Sequence, residues 1–185
     1  MNVLTTELEG VLIFEPRHFP DDRGFFMETY NAIRYDQAGL TETFTQDNHS
    51  QSTRGVIRGL HYQLEHPQGK FLYVVRGEIF DVAVDIRQGS PTFGHWTGIH
   101  LSADNKRQFY IPTGFAHGFS VLSEHADVIY KCTNVYHPGD EYGVHYADSA
   151  LKIDWKVDTP AVSEKDLLLP TLDQIPSEHL PIYDG

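Results

Sequence analysis

Short runs of apolar and aromatic residues recur along the chain, and polar or glycine-containing turns separate them. Such residues favour β-strands, and a spacing of roughly 8–12 residues between runs is typical of sandwiches and barrels. The pattern predicts strands at Gly10–Glu15, Gly24–Tyr30, Phe44–Ser50, Val56–Gln63, Phe71–Arg76, Ile79–Ile86, Trp96–Ser102, Arg107–Ile111, Ala116–Leu122 and Ala126–Thr133. We therefore expect an all-β fold.

In one of these runs, Ile79–Ile86, polar and apolar positions alternate. Asp81 and Asp85 fall on the face opposite Val82 and Val84. Because successive side chains of a strand point to opposite faces, we expect one face to be buried and the other to be wet or to line a cavity.

Only two short helices are predicted. Asn31 can N-cap a helix over residues 32–38, since its side chain can accept a hydrogen bond from a free backbone N–H. Ser163 can cap a second helix, Ser163–Leu169, in which Asp166 occupies the third position. From the residues alone, Asp166 is interpreted as a helix-capping acid.

Composition narrows the class of protein. The 185 residues suit one domain, 1–185, with a proline-containing C-terminal tail at 148–185 packed on it. The net charge of −12 opposes binding to nucleic acid or to an anionic membrane. The one cysteine, Cys132, cannot form an intramolecular disulfide. Met1–Gly10 lacks a signal-peptide pattern, and no apolar run approaches roughly 20 residues, so we expect a cytoplasmic protein.

Two motifs match parts of the cupin pattern. Pro112–His117 reads Pro-x-Gly-x-x-His, and a second motif begins at His61 and ends at Gly77. Metal-binding cupins carry a second His and a Glu in that motif, where this chain has Gln63 and Lys70. Glutamine is a poor ligand and an ammonium group repels a cation, so no metal is expected.

The two motifs predict a cupin-like barrel, that is, a double-stranded β-helix or jelly roll with a few short helices. Its strands would direct His61, Lys70 and His117 into one cavity. Three titratable groups are costly to bury there unless they have a function. The other nine histidines are interpreted as structural.

A set of segments, in order over about residues 11–166, resembles the dTDP-4-dehydrorhamnose 3,5-epimerase family. The segments are Asp22–Glu28, Gln46–Ser50, Arg54–Gln63, Gln68–Lys70, Phe80–Arg87, Gly89–Gly94, Pro112–Phe119, Tyr130–Thr133 and Ser163–Asp166. The resemblance implies a homodimer of cupin-type barrels that needs neither a metal nor a nucleotide cofactor. It implies conversion of dTDP-4-keto-6-deoxy-D-glucose to dTDP-4-keto-L-rhamnose.

The resemblance also implies catalytic roles. His61 matches the base that removes the protons next to the C4 ketone, and Asp166 matches its carboxylate partner. Lys70 is placed to stabilise the oxyanion at C4, with His117 supporting the same pocket. Tyr130 matches the acid that returns the proton on the other face. Histidine suits the base because its unperturbed pKa lies near neutrality.

The resemblance further implies a set of substrate-binding residues. It also implies that the N-terminal strands, residues 1–30, exchange with the dimer partner. The implied binding residues are Arg23, Glu28, Gln46, Asp47, Asn48, Arg58, His117, Tyr136, Glu141 and Lys165.

Three alternatives stay open at this point. The first is an epimerase acting only at C5 or only at C3, or a ketoisomerase, on the same scaffold. The second is a non-catalytic cupin that binds a sugar. The third is a metal-dependent cupin enzyme.

Overall fold

The computed structural model describes all residues from Met1 to Gly185 and contains fourteen strands and two short α-helices. The strands are β1 (Asn2–Thr5), β2 (Leu12–Glu15), β3 (His18–Asp21), β4 (Gly24–Met27), β5 (Gln46–Thr53), β6 (Val56–Tyr62), β7 (Lys70–Arg76), β8 (Glu78–Asp85), β9 (Trp96–Ser102), β10 (Gln108–Ile111), β11 (Phe115–Val121), β12 (His125–Cys132), β13 (Tyr142–Gly143) and β14 (Ala161–Val162). The helices are α1 (Ala32–Asp36) and α2 (Glu164–Leu167), followed by 3-10 turns at Leu172–Gln174 and Ser177–His179.

The strands form two facing sheets and one separate hairpin. The first sheet has the order β1-β2-β10-β7-β12-β5, and the second has the order β13-β6-β11-β8-β9. All pairs in these orders are antiparallel, whereas β14 adds to β6 in parallel. Strands β3 and β4 pair only with each other. The expected all-β jelly-roll architecture is confirmed.

The space between the sheets holds the largest apolar cluster. Leu72 and Phe109 from the first sheet meet Ile79, Ala83 and others from the second. Each fully buried large side chain of this kind contributes about 1.5–3 kcal/mol relative to an exposed one. This layer fixes the distance between the two sheets and so defines the interior of the barrel.

The outer face of the second sheet is covered by the C-terminal segment. Val82 and Val84 of β8 pack there against Leu151, Trp155 and Leu172. The other face of β8 is also buried, because Asp81 and Asp85 are 0% exposed. The strand is thus buried on both faces, and no wet face exists.

Helix α1 packs on the outer face of the first sheet. Tyr35 joins Phe14, Phe71 and Tyr110 in a third apolar cluster, and its hydroxyl donates to the side-chain oxygen of Gln108 at 2.6 Å. The predicted N-cap is confirmed, since Asn31 accepts from the Arg34 backbone N–H. None of the helices has the length and apolar character that a membrane span requires.

Candidate active site

A cavity of about 620 Å³ lies between the two sheets. Its polar lining includes His61, His117 and Asp166 from the side of the second sheet and Lys70 and Tyr130 from the first. A neighbouring cleft of about 300 Å³ is also lined by His61, Lys70 and Tyr130. The two spaces therefore adjoin at these three side chains, and together they offer room for an extended ligand.

Strand register sets the facing positions of these side chains. His61 on β6 is the cross-strand partner of His117 on β11. On the other sheet, Tyr130 of β12 is paired with Leu72, two residues after Lys70 on β7. His61 and Tyr130 thus line one cavity from opposite sheets.

A close approach of β6 and β11 depends on Gly59. A Cβ atom there would lie 2.5 Å from the His117 carbonyl oxygen, and the φ of Gly59 is +109°. The Gly59 amide also donates to Asp166 at 3.3 Å. Any larger residue would push the strands apart and displace both histidines.

The central contact is the hydrogen bond between His61 Nε2 and Asp166 Oδ1, at 2.7 Å. Asp166 comes from α2, which β14 brings alongside β6, and its amide is capped by the Ser163 hydroxyl at 3.1 Å. Burial raises the pKa of Asp166, but the hydrogen bond and charge of His61, with the Gly59 amide, outweigh burial and hold that pKa below its usual range. The ionised carboxylate then accepts from Nε2 and leaves the lone pair on Nδ1.

Burial shifts the pKa of both Lys70 and Tyr130. Desolvation lowers the pKa of Lys70, while the nearby Cys132, Asp81 and Glu141 oppose that change. Lys70 forms no salt bridge, although a buried ammonium group normally has an anionic partner. Desolvation raises the pKa of Tyr130, so its phenol keeps its proton at neutral pH.

A second histidine–carboxylate pair lies below the first. His117 Nε2 is 3.0 Å from both oxygens of Asp81, and Asp81 is fully buried. Desolvation raises the pKa of Asp81 and lowers the pKa of His117, so burial favours the neutral form of each group. Only His117 of this pair lines the cavity, and Asp81 is buried behind it.

The mouth of the cleft carries polar and aromatic side chains that surround an open surface. Tyr136 donates to Glu141 at 3.0 Å, and Lys165 forms an ion pair with the same carboxylate. Gln46 accepts from the Tyr136 backbone N–H at 2.8 Å and donates to Asn48 at 3.0 Å. Such a rim suits a planar base and its attached sugar.

A protein-family model described as dTDP-4-dehydrorhamnose 3,5-epimerase matches residues 5–174. The chain belongs to this epimerase family. The dTDP-4-dehydrorhamnose 3,5-epimerase of Shigella flexneri is 56% identical over 169 residues, which are 90% of this chain and 93% of that protein. A dTDP-4-dehydrorhamnose 3-epimerase of Streptomyces niveus is 41% identical over 161 residues, 86% of this chain and 78% of that protein.

A solved structure of the family matches this epimerase fold over its whole length. It is the crystal structure of a dTDP-6-deoxy-D-glucose-3,5-epimerase from Legionella pneumophila Philadelphia 1 in complex with dTDP-4-keto-L-rhamnose. The TM-score is 0.97 at 52% identity, and the match covers 100% of this chain and 99% of that one.

Three residues expected at the epimerase site lie outside the cavity in the single chain. Arg23 projects from the β3–β4 hairpin, pairs with Asp21 at 2.6 Å and is 89% exposed. Glu28 accepts from Arg34 at 2.7 Å. Asp47 points to the outer face of β5, where it pairs with Lys131 at 2.8 Å. The chain alone does not bring these three to the other site residues.

The two residues that depart from the metal-binding cupin pattern both line the cleft of about 300 Å³. The Gln63 amide donates there to the His137 carbonyl at 3.2 Å. Lys70 lines the cavity. The position of a metal-binding carboxylate in other cupins is therefore taken by a cation.

Sequence reasoning missed several polar residues of this site. Asp81 was treated only as part of an alternating strand, although its register opposite Phe119 places it beside His117. Ser50 lines the cavity but carried no distinctive pattern, because nothing in a strand of polar residues marks which serine faces a cavity.

Proposed function

We propose that the protein epimerises C3 and C5 of dTDP-4-keto-6-deoxy-D-glucose and forms dTDP-4-keto-L-rhamnose, a step toward dTDP-L-rhamnose. The observation that carries this proposal is the placement of His61 and Tyr130 on opposite sheets around one cavity, with Asp166 bonded to His61 at 2.7 Å. Inversion at carbon needs a base on one face and an acid on the other, and these two side chains supply them.

His61 removes the proton. With Nε2–H directed to Asp166, the lone pair of Nδ1 accepts the proton from C3 or C5, both of which are acidified by the C4 ketone. The carboxylate stabilises the imidazolium that forms. Because Asp166 itself stays ionised, the dyad carries one positive and one negative charge after proton transfer, and it returns to its resting state when the imidazolium releases its proton.

Lys70 stabilises the enolate. As the C–H bond breaks, its electron pair moves toward C4 and negative charge develops on the C4 oxygen. An ammonium group without a protein counter-ion is available to meet that charge, and electrostatic stabilisation of this kind is often the largest catalytic effect. The lowered pKa of Lys70 also allows it to share a proton with the oxygen.

Tyr130 completes the inversion. Its phenol, which is protonated at neutral pH, donates to the enolate carbon from the face opposite His61, and the phenolate recovers its proton from solvent. The reaction consumes no oxidant or reductant, since one proton leaves each carbon and one returns.

The homodimer is part of the proposal. Three large apolar side chains of the β3–β4 hairpin are exposed, Phe19 by 52%, Phe25 by 58% and Phe26 by 69%. Exposed aromatic residues in such a cluster are typical of an interface. In a dimer that covers them, Arg23 and Glu28 of one chain would reach the cavity of the other chain, where Arg23 adds a charge for the diphosphate.

Mixing two inactive variants tests this arrangement. In a dimer of one His61→Asn chain and one Arg23→Ala chain, the barrel with His61 would receive an intact Arg23 from its neighbour. We expect activity to return after the two are unfolded and refolded together. If the mixture stays as inactive as each variant alone, while both fold and dimerise, Arg23 does not act across the dimer.

The substrate-binding residues retain their proposed roles around the mouth of the cleft. Arg58 contacts the diphosphate, and Tyr136 stacks on the thymine. Gln46 and Asn48 lie on the inner face of β5 toward the nucleotide, and Glu141 and Lys165 bound the opposite side. Asp47, on the outer face of β5, is held by Lys131 and has no place beside them in the single chain. The single cysteine, Cys132, is a free thiol, which is typical of the cytoplasm.

An epimerase acting at C3 alone is the second candidate, and the 41% identity to the Streptomyces niveus 3-epimerase favours keeping it. The configuration of the product at C3 and C5 distinguishes the two candidate activities. Incubation with dTDP-4-keto-6-deoxy-D-glucose, followed by trapping with a reductase and NADPH, yields a rhamnose nucleotide only if both carbons invert. A product inverted at C3 alone would establish the second candidate instead.

A further inference from the structure

Helix α2, which carries Asp166 to His61, is too short to hold its own shape. It is four residues long, about one turn, and an isolated helix of that length is not stable in water. Asp166 is its only buried side chain, since Glu164, Lys165 and Leu167 are exposed. Because α2 has no apolar face against the barrel, packing alone does not fix the orientation of Asp166.

The segments on either side of α2 are anchored to the second sheet. Before the helix, β14 pairs with β6, and the Ala161 amide donates to the Gly55 carbonyl at 2.8 Å. After the helix, Leu169 packs closely on Gly143 of β13, where a Cβ atom would lie 2.7 Å from a Leu169 methyl carbon. Both ends of the segment are therefore fixed, and the turn between them sets where the Asp166 carboxylate points.

The Ser163 hydroxyl closes this turn. Its oxygen accepts from the Asp166 amide at 3.1 Å, and the Ser163 carbonyl accepts from the Leu167 amide at 3.0 Å. Ser163 has the extended backbone of an N-cap, with φ −66° and ψ 151°. The capped amide and the carboxylate that bonds to His61 belong to the same residue. Loss of the cap therefore acts directly on the residue that contacts His61.

The Asp166 carboxylate has little freedom to move without losing its contacts. Oδ1 is 2.7 Å from His61 Nε2, and Oδ2 is 3.3 Å from the Gly59 amide nitrogen. Hydrogen bonds weaken steeply when distance and angle leave the preferred range, so both contacts need one backbone orientation of α2. Fraying of this single turn would separate Asp166 from His61 while the barrel stays folded.

We propose that Ser163 is a positioning residue that acts through Asp166: its N-cap bond holds α2 in the conformation in which the carboxylate reaches His61. This inference rests on the proposed function, in which His61 is the base. The Ser163 hydroxyl makes no contact with the reacting atoms in this role. Its loss should therefore affect kcat rather than the binding of substrate.

Kinetics of Ser163→Ala test the proposal, and Ser102→Ala is the matched control. Ser102 likewise accepts from the backbone amide three residues ahead, that of Asn105 at 3.0 Å, but it does not line the cavity. Replacement of a capping serine by alanine shifts a helical turn toward its frayed state by about 2- to 30-fold. We expect the kcat of Ser163→Ala to fall by that factor, with KM within about twofold of wild type. Ser163→Thr keeps the capping hydroxyl and should restore kcat, and the control should retain it.

Proton NMR of the free protein observes the contact itself. The His61 Nε2–H proton, held by a carboxylate at 2.7 Å, should give a low-field signal that His61→Asn lacks. In Ser163→Ala we expect this signal to move upfield or to broaden through exchange with water. In Ser163→Thr and in the control it should stay in place. A serine with a merely structural role would lower Tm without moving this signal.

Each other result overturns the proposal. Unchanged kcat and an unchanged signal in Ser163→Ala would show that the turn holds Asp166 without its cap. A raised KM with unchanged kcat would place the hydroxyl, which lines the cavity, on the substrate instead. Failure of Ser163→Thr to restore kcat would show that the capping hydroxyl is not what the site needs. Because the signal is read without turnover, a shift in Ser163→Ala combined with an inactive wild type would refute the proposed function and leave the positioning of Asp166 standing.

Discussion

Replacement of Asp166 by asparagine removes one charge and almost no volume from the proposed catalytic dyad. The wild-type carboxylate accepts from His61 Nε2 at 2.7 Å and from the Gly59 amide at 3.3 Å, and Asp166 is 4% exposed. The asparagine oxygen can still accept from one donor. Its amide group can also turn and donate to Nε2, which would move the lone pair of His61 away from the substrate.

The magnitude follows from what the carboxylate does in the transition state. A hydrogen bond to a charged group contributes about 1.5–3 kcal/mol, and this one strengthens as the imidazolium forms. Its loss corresponds to a fall in kcat of about 10- to 150-fold. Because Asp166 acts through His61, KM should change much less than kcat.

The assay is initial-rate turnover of dTDP-4-keto-6-deoxy-D-glucose, coupled to a reductase and NADPH. Glu164→Gln is the matched control, since Glu164 is exposed, begins the same helix α2 and lies two residues from Asp166. The control removes a similar charge without touching His61 and should retain wild-type kcat. An Asp166→Asn protein that is folded and keeps kcat within threefold of wild type would refute the dyad.

Three further predictions follow from the same geometry. Tyr130→Phe should let deuterium enter C3 and C5 from D₂O while inversion falls about 10²-fold, since His61 can return the proton only to the face it came from; NMR of the product checks this. Lys70→Met should lower kcat about 10²–10³-fold yet leave Tm unchanged or raised, because a buried ammonium without a partner is removed; equal kcat would contradict its role. Asp85→Asn should lower stability by about 3 kcal/mol at neutral pH, because the Asp85–Arg87 pair at 2.7 Å is broken. Burial raises the pKa of Asp85, but hydrogen bonds from Arg87, Ser90 and Thr92 outweigh burial and hold that pKa below the usual range for aspartate. The Tm difference from wild type should therefore shrink as pH falls below about 3.9, the usual aspartate pKa.

The strand pattern predicted the central sheets well because their residues are apolar and branched. Trp96–Ser102 has the predicted bounds, and the other strands between Gln46 and Cys132 differ by one to three residues at their ends. Strands β1, β3, β13 and β14 were not predicted. They are two to four residues long, and β3 contains a proline and charged neighbours, so pairing partners rather than local sequence determine them.

The expected faces of β8 were only half correct. Alternation of Asp81 and Asp85 with valines suggested a wet face or a cavity wall, yet both carboxylates are fully buried. Each has partners that sequence periodicity cannot reveal. Asp81 is paired with His117 from β11. Asp85 is paired with Arg87, which lies in the turn after β8.

The proposed catalytic set could be predicted only in part from the residues. The cupin motifs pointed to His61, Lys70 and His117 because those spacings follow strand geometry. Asp166 lies 105 positions from His61, and only the family resemblance connected the two. In the folded chain Asp166 contacts both His61 and the Gly59 amide, because the parallel pairing of β14 with β6 brings α2 beside them.

The most direct test of the central claim is proton exchange in D₂O. Purified protein treated with a chelator is incubated with dTDP-4-keto-6-deoxy-D-glucose, and C3 and C5 are followed by proton NMR. We expect deuterium at both carbons in wild type and at neither in His61→Asn. Deuterium at one carbon only would move the protein to the single-site epimerases, and no exchange by a folded protein that binds the nucleotide sugar would contradict catalysis by this site.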